Sequence, residues 1–134
     1  MVIDTSALLA ILKDEPERRR FNEAIDAADS RRMSAATLVE VSIVVESRFG
    51  AEGLRDLDRL IERAEIEIMP VDVEQARAAR EAFIRFGKGR HAAGLNFGDC
   101  FPYALCRTLG EPLLFKGKDF SRTDVIAFVP DANA

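Results

Sequence analysis

The sequence contains no tryptophan, one histidine and two cysteines, and none of its apolar runs approaches the roughly 18 residues that a membrane-spanning helix requires. No basic segment followed by an apolar one stands at its start, so we expect no secretion signal and a cytoplasmic protein. The chain has 134 residues and is 48% hydrophobic, which predicts a single globular domain over residues 1–134.

The two cysteines offer little chemistry. Cys100 and Cys106 lie six residues apart in one predicted helix, so their side chains point in different directions and cannot easily form a disulfide. Together with His91 they make a poor set of zinc ligands. We interpret both as small buried hydrophobic side chains in a reducing compartment.

A basic excess is also missing, because the net charge is −4. This argues against a protein that binds polyanions over its whole surface. Between Arg85 and Arg122, however, seven Lys and Arg side chains stand against three acids, a net charge of +4, while the rest of the chain carries −8. Such a segment can face phosphates or can be an ordinary solvated surface, and the sequence leaves both interpretations open.

Short apolar segments alternate with segments of helical periodicity. Strands are predicted at residues 1–3, 32–35, 66–70, 113–115 and 125–129, and helices at residues 7–12, 16–28, 37–49, 54–64, 73–86 and 99–109. Gly50 and Gly110 are the stop signals for two of these helices. This alternation predicts an α/β fold with a mainly parallel sheet, in which functional sites form at the carboxyl ends of the strands.

Four carboxylates are candidates for a site at that edge of the sheet. Asp4 ends the first strand, Glu40 lies in the first turn of the helix after the second strand, and Asp119 follows the fourth strand. Asp99 opens the helix that leads into the fourth strand, and its place at the same edge is an inference from topology.

Each carboxylate also has a structural explanation. Asp4 can cap the first helix, and Glu40 can form a capping box with Thr37. Asp99 sits where a helix N-terminus favours negative charge, and Asp119 can be a turn residue. For any one of them alone, this structural explanation is the better one.

Taken together, the four carboxylates would repel one another and raise each other's pKa unless a cation offset them. Mg²⁺ and Mn²⁺ prefer carboxylate oxygens and bind beside substrate phosphates, where they activate water for phosphoryl displacement. No phosphate-cradling motif competes for this chemistry, because Gly87-Lys88-Gly89 lacks the full P-loop pattern.

Several segments resemble a known family. Residues 2–7 resemble the opening of a PIN domain, and Glu40 lies where the second acid of that family falls. Residues 94–100, Gly-Leu-Asn-Phe-Gly-Asp-Cys, resemble the third-acid segment of VapC toxins, and residues 113–124 resemble their C-terminal segment. The similarity spans nearly the whole chain in the order of the family.

The resemblance implies a PIN-like three-layer α/β/α sandwich with a mainly parallel central sheet. It also implies an endoribonuclease that requires Mg²⁺ or Mn²⁺ and cleaves structured RNA such as tRNA or rRNA. VapC proteins are toxins of type II toxin–antitoxin pairs. The implied partners are therefore a VapB-like antitoxin, which holds the toxin inactive, and a second copy of the chain in a homodimer.

The resemblance also assigns roles to the four acids, which would be both catalytic residues and metal ligands. Asp4 and Asp99 would bind the metal most directly, and Asp119 would complete or support the site. Glu40 would bind the metal directly or through water, or would position the attacking water. Thr5 and Ser6 would support these ligands through their hydroxyls.

Other residues near these motifs are weaker candidates. We interpret Asp124 as a cap after Ser121 rather than as a member of the site. Pro102 departs from the small residue that family members often carry there, and it is tolerated in the first turn of a helix. The aromatic side chains that could stack on nucleobases, but that we assign to the core, are Phe97, Phe101 and Tyr103.

Two alternatives to a ribonuclease remain. One is a non-catalytic PIN-fold module that binds RNA or has a regulatory role. The other is a phosphotransfer enzyme of the haloacid dehalogenase type, which would need a second Asp two residues after Asp4, where this chain has Ser6.

Overall fold

A computed structural model describes residues 1–129 of the chain. The strands are β1 (Val2–Ile3), β2 (Arg32–Ser34), β3 (Glu67–Met69) and β4 (Leu113–Leu114). The helices are α1 (Thr5–Leu12), α2 (Arg18–Ala27), α3 (Ala35–Arg63), α4 (Val73–Phe86) and α5 (Cys100–Leu109), and a 3-10 helix spans Phe120–Arg122. No helix in this part of the chain is long and apolar enough to cross a membrane.

The four strands form one parallel sheet in the order β3-β2-β1-β4. Strand β1 lies in its interior, where Val2 is paired with both Arg32 and Leu113. Because successive side chains of a strand point to opposite faces, Val2 and Ile3 enter two different cores.

Helices cover both faces of this sheet. Ile3 packs in a core with α1, α2 and α3, whereas Val2 packs in a second core with α4 and α5. Both strand residues are completely buried, as expected for a parallel sheet that is covered on both sides. The predicted three-layer α/β/α architecture is therefore confirmed for the described residues.

The helices predicted at 37–49 and 54–64 are the two parts of α3, which are separated by a non-helical residue, Gly50 (φ 66°, ψ −157°), so the predicted stop at this glycine is confirmed. One predicted strand differs from the structure. The strand predicted at 125–129 is reduced to a single bridge between Ala127 and Leu113. With only two residues, β4 offers little edge for further pairing.

The cysteines are both free and buried, as predicted. Burial raises the pKa of the Cys100 thiol to about 11 and that of the Cys106 thiol to about 12, so neither is a reactive thiolate at neutral pH.

Candidate active site

Asp4 leaves the carboxyl end of β1 and is only 5% exposed. Its Oδ2 accepts hydrogen bonds from the backbone N–H of Ser6 at 3.1 Å and from the Ser6 hydroxyl at 2.6 Å, which caps helix α1 as predicted. The Ser6 hydroxyl in turn accepts from the backbone N–H of Lys116 at 2.9 Å. Ser6 therefore fixes Asp4 and links it to the segment after β4.

The environment of Asp4 disfavours its charged form. Burial raises its pKa, the hydrogen bonds from Ser6 lower it, and the nearby charge of Glu40 raises it again. The net direction is upward, which is the direction that an approaching cation would reverse.

Glu40 lies on α3 and faces the same edge of the sheet. Its Oε1 accepts a hydrogen bond from the Thr5 hydroxyl at 2.5 Å, across 35 residues of sequence. The capping box predicted with Thr37 is wrong, because α3 begins earlier and Ser34 caps it by accepting from the N–H of Ala36 at 3.2 Å. Glu40 is thus free of a capping role.

Gly98 lets the second acid lie close to the third. A Cβ at this position would overlap the Glu40 carboxylate, which would then have to move away from the backbone next to Asp99. The φ angle of Gly98 is not in the positive range, so close approach alone favours glycine here.

Asp99 precedes α5 and is held by Asn96. Asp99 Oδ2 accepts from the N–H of Asn96 at 3.0 Å, and Asn96 Oδ1 accepts from the N–H of Asp99 at 2.9 Å. Sequence reasoning gave Asn96 no role, although an Asn three residues before an Asp is a signal for such a reciprocal pair. Pro102 is buried in the first turn of α5, where a proline is tolerated.

The surroundings of Asp99 disfavour its charged form. Burial raises its pKa from 3.8 to about 6, and the charges of Asp4, Glu40 and Asp119 add to this rise while the Asn96 N–H opposes it. The Glu40 carboxylate, which lies against Gly98 and accepts from Thr5, links the segment of Asp99 to that of Asp4.

Asp119 is the outermost of the four. It directly precedes the 3-10 helix, and its side chain is exposed. Unlike the carboxylates of Asp4, Glu40 and Asp99, that of Asp119 accepts no hydrogen bond from a side chain or backbone group within residues 1–129.

The chemistry of these groups fits a hard divalent cation. The donors are carboxylate oxygens supported by hydroxyls, and within residues 1–129 no Lys or Arg nitrogen lies within 4.0 Å of any of the four carboxylates. As they stand, no three acidic, His or Cys side chains of the described residues enclose a metal position. The side chains occupy the positions that their hydrogen bonds to Ser6, Thr5 and Asn96 set.

Asp124 does not cap Ser121, contrary to prediction. Its carboxylate accepts a hydrogen bond from the Tyr103 hydroxyl at 2.7 Å and contacts Arg85 at 3.3 Å and Arg107 at 3.4 Å. These contacts join the C-terminal segment to helices α4 and α5.

The aromatic side chains differ in their burial. Tyr103 is 2% exposed and belongs to the core, as predicted, and Phe101 is half-buried against it. Assigning Phe97 to the core is wrong, because it is 80% exposed, with its ring edge-on to Phe101 at 5.0 Å between centroids.

Part of the positive charge between residues 85 and 122 is neutralised within the protein. Asp124 pairs with Arg85 and Arg107, while Lys116 pairs with Glu15 at 2.7 Å and Glu17 at 3.2 Å. The cations of this segment that form no ion pair within residues 1–129 are Lys88, Arg90, Lys118 and Arg122. Of these four, Arg122 donates to the Ala92 carbonyl at 3.1 Å and Arg90 lies over the Phe83 ring at 5.5 Å from its centroid.

Comparisons with known proteins identify the family of the chain. The PIN domain family model matches residues 1–126. A protein of Mycolicibacterium smegmatis called Ribonuclease VapC is 55% identical over 127 residues, covering 95% of this chain and 98% of the relative. Ribonuclease VapC30 of Mycobacterium tuberculosis is 53% identical over 125 residues, covering 93% of this chain and 95% of the relative.

Two solved structures share the fold. Mycobacterium tuberculosis VapC20, described as a sarcin-ricin loop cleaving toxin, superposes with a TM-score of 0.77 at 17% identity, covering 96% of this chain and 98% of that one. A toxin–antitoxin complex from Klebsiella pneumoniae gives a TM-score of 0.68 at 16% identity, with 94% of each chain covered.

Proposed function

Because the chain belongs to the PIN-domain family and groups with its VapC ribonucleases, we propose that it is a metal-dependent endoribonuclease toxin. The observation that carries this proposal is the approach of the acids at one edge of the sheet, where the Glu40 carboxylate lies against Gly98, the residue before Asp99, and accepts from Thr5, the residue after Asp4. Within residues 1–129 no Lys or Arg forms an ion pair with Asp4, Glu40, Asp99 or Asp119. Such an arrangement favours binding of Mg²⁺ or Mn²⁺.

The contacts of the described side chains suggest a role for each of them in the proposed reaction. Asp4 and Asp99 would hold the metal, with Asp119 completing its ligands, and a bound metal would supply an activated water and neutralise charge on the phosphate. Ser6 fixes the Asp4 carboxylate, and the Thr5 hydroxyl orients Glu40. Glu40 would bind the metal or position the water that attacks the phosphodiester.

Structured RNA is the proposed substrate, with tRNA and rRNA as the classes to test. The solved structure of VapC20 is described as a toxin that cleaves the sarcin-ricin loop, which supports including rRNA. The free cations Lys88, Arg90, Lys118 and Arg122 would contact phosphates, which position an RNA without reading its sequence. The RNA, and with it the site of action, would be cytoplasmic.

A VapB-like antitoxin is the proposed inhibitor. The fold neighbour from Klebsiella pneumoniae is a toxin–antitoxin complex, which supports a partner of this kind. Val39 and Ile43, on either side of Glu40 along α3, are both more than half exposed and would be covered by such a partner. Co-expression with a VapB-like antitoxin, followed by co-purification, tests this partner.

We also propose that the chain forms a homodimer. Its exposed large apolar side chains include Val73 on α4 and Phe97 before α5, which a second copy would bury. Light scattering of the purified protein gives its mass in solution. A monomer at all concentrations would contradict a homodimer and leave the nuclease proposal intact.

The deciding experiment is cleavage of purified tRNA and rRNA by the wild type, by Asp99→Asn and by the control Asp56→Asn. Asp56 forms an exposed ion pair with Arg59 at 3.6 Å, so its variant also loses one negative charge, but away from the site. We expect discrete fragments from the wild type and the control with Mg²⁺ or Mn²⁺, and none with chelator or from Asp99→Asn.

Cleavage by Asp99→Asn, or undiminished cleavage in chelator, would contradict the metal-dependent mechanism. RNA binding without cleavage by the wild type under every metal condition would instead support a non-catalytic PIN-fold module.

A further inference from the structure

The segment that carries Asp119 is fastened to the protein at both ends. At its start, the backbone N–H of Lys116 donates to the Ser6 hydroxyl at 2.9 Å, and the Lys116 ammonium pairs with Glu15. At its other end lies Asp124. Asp119 stands between these two anchors, and within residues 1–129 its carboxylate accepts no hydrogen bond, so its backbone alone sets where it lies.

The far anchor, which we call the Tyr103 clasp, consists of Tyr103, Asp124, Arg85 and Arg107. The Tyr103 hydroxyl donates to Asp124 Oδ1 at 2.7 Å, and one Arg85 nitrogen lies 3.3 Å from both the Tyr103 oxygen and Asp124 Oδ2. Tyr103 is buried in α5, the helix that begins next to Asp99. The clasp therefore ties the Asp119 segment to the element that also places Asp99.

Short hydrogen bonds connect the clasp to Asp119. The Thr123 hydroxyl accepts from the N–H of Val125 at 3.1 Å and donates to the Phe120 carbonyl at 2.6 Å. Phe120 is buried, and the N–H of Arg122 donates to the Asp119 carbonyl at 3.3 Å. The turn between residues 119 and 124 is thus held as a unit, so a shift of Asp124 would move Asp119.

We propose that Asp124, held by the Tyr103 hydroxyl, is a positioning residue that sets the distance of Asp119 from the other three carboxylates. This role rests on the proposed metal-dependent ribonuclease. Asp124 touches neither metal nor RNA in it and acts through the backbone of residues 119–124.

If the Tyr103 clasp only stabilised the fold, its variants would lose stability and would show no specific loss of metal affinity. The two arginines of the clasp are largely exposed, and ion pairs at such positions contribute little to stability. Removing the Tyr103 hydroxyl leaves its ring in the core and takes away the donor that orients Asp124 together with one acceptor for Arg85. Loss of a group that orients a metal ligand costs about 10- to 100-fold in metal affinity or activity.

The test measures metal binding and cleavage in Tyr103→Phe, Asp124→Ala and Asp124→Asn, with Asp56→Asn as the control. Metal binding is read as the Mn²⁺ dissociation constant from isothermal titration calorimetry, which needs no RNA. We expect Tyr103→Phe and Asp124→Ala to raise that dissociation constant and to slow cleavage about tenfold or more. Asp124→Asn keeps an oxygen for the Tyr103 hydroxyl and should lose less than Asp124→Ala.

A double-mutant cycle separates positioning from general damage. In an Asp119→Asn background, Tyr103→Phe should cause no further loss of Mn²⁺ affinity, because the ligand that it positions is already gone. Equal losses in both backgrounds would overturn the positioning role.

The outcomes also distinguish this proposal from the proposed function. A wild type that cleaves RNA with metal, beside clasp variants that match it, would overturn the positioning role alone. A wild type that neither binds Mn²⁺ nor cleaves would overturn both. If Tyr103→Phe does not fold, Asp124→Asn and Asp124→Ala decide the question by the same two measurements.

Discussion

Replacing Asp99 with Asn should stabilise the metal-free protein while abolishing cleavage. Burial and the neighbouring carboxylates raise the pKa of Asp99 from 3.8 to about 6, so at pH 7 the folded state holds a charge that it disfavours. One pKa unit corresponds to about 1.4 kcal/mol. If the whole pKa shift acted on stability, it would lower the free energy of unfolding of the wild type at pH 7 by about 3 kcal/mol.

The expected gain is smaller than that figure. Asp99 is half-buried, and solvent screens the part of its charge that remains in contact with water. The substitution costs no hydrogen bond, because asparagine keeps an oxygen that can accept from the N–H of Asn96. We therefore expect the free energy of unfolding of Asp99→Asn to exceed that of the wild type by about 1–2 kcal/mol.

The pH dependence of this difference follows from the raised pKa. Between about pH 4 and pH 6 the folded wild type binds more protons than the unfolded chain, so its stability falls as pH rises through this range. Asp99→Asn lacks this titration. The gap between the two proteins should be near zero below about pH 4 and complete above about pH 6.

Urea unfolding in chelator at a series of pH values measures this gap, with Asp56→Asn as the matched loss of an exposed charge. The control should differ from the wild type by less than about 0.5 kcal/mol. Added Mn²⁺ should then stabilise the wild type more than Asp99→Asn, because a ligand that binds only the folded state raises its stability. An Asp99→Asn protein less stable than the wild type in chelator at pH 7 would refute the reasoning.

Three further substitutions test other parts of the site. Ser6→Ala removes the hydroxyl that donates to Asp4 and accepts from the N–H of Lys116, and we expect about 1–2 kcal/mol lower stability in urea and about tenfold slower cleavage. Gly98→Ala should displace the Glu40 carboxylate, so cleavage should fall about 10- to 100-fold while circular dichroism shows a retained fold. Lys118→Ala should reduce the salt dependence of RNA binding by about one unit of slope, measured by filter binding of labelled RNA.

Much of the fold was accessible from the sequence because its signals are local. The completely buried strand Val2–Ile3 reads as apolar in the sequence, and Asp4 directly after it is both the predicted helix cap and the predicted site residue. The parallel order then places the ends of the strands at one edge, which is where the carboxylates were expected.

The features that were missed depend on contacts between distant residues. Glu40 was read against Thr37, a neighbour on the same helix, whereas its partner is Thr5. Asp124 was read against Ser121, whereas its partner Tyr103 lies 21 residues away. In each case the sequence contains a nearby residue that could be the hydrogen-bond partner. The actual partner is distant in the sequence, and only the tertiary structure brings it close.

The break at Gly50 was predictable from the sequence because its signal is local. Glycine adopts a positive φ at little cost, and Gly50 leaves the helical conformation where the first of the two predicted helices was expected to end. The helix that follows packs on the core through Leu57.

The pairing of β1 with β4 has a consequence for the order of events during synthesis. The N–H of Val2 donates to the Pro112 carbonyl, and the N–H of Asp4 donates to the Leu114 carbonyl at 3.0 Å, so the first strand lacks one of its two neighbours until the fourth has left the ribosome. The carboxylates lie between residues 4 and 119, and they come together only after the later ones have emerged. The nascent chain therefore carries an incomplete site throughout most of its translation, which delays any nuclease activity towards RNA at the ribosome that makes it.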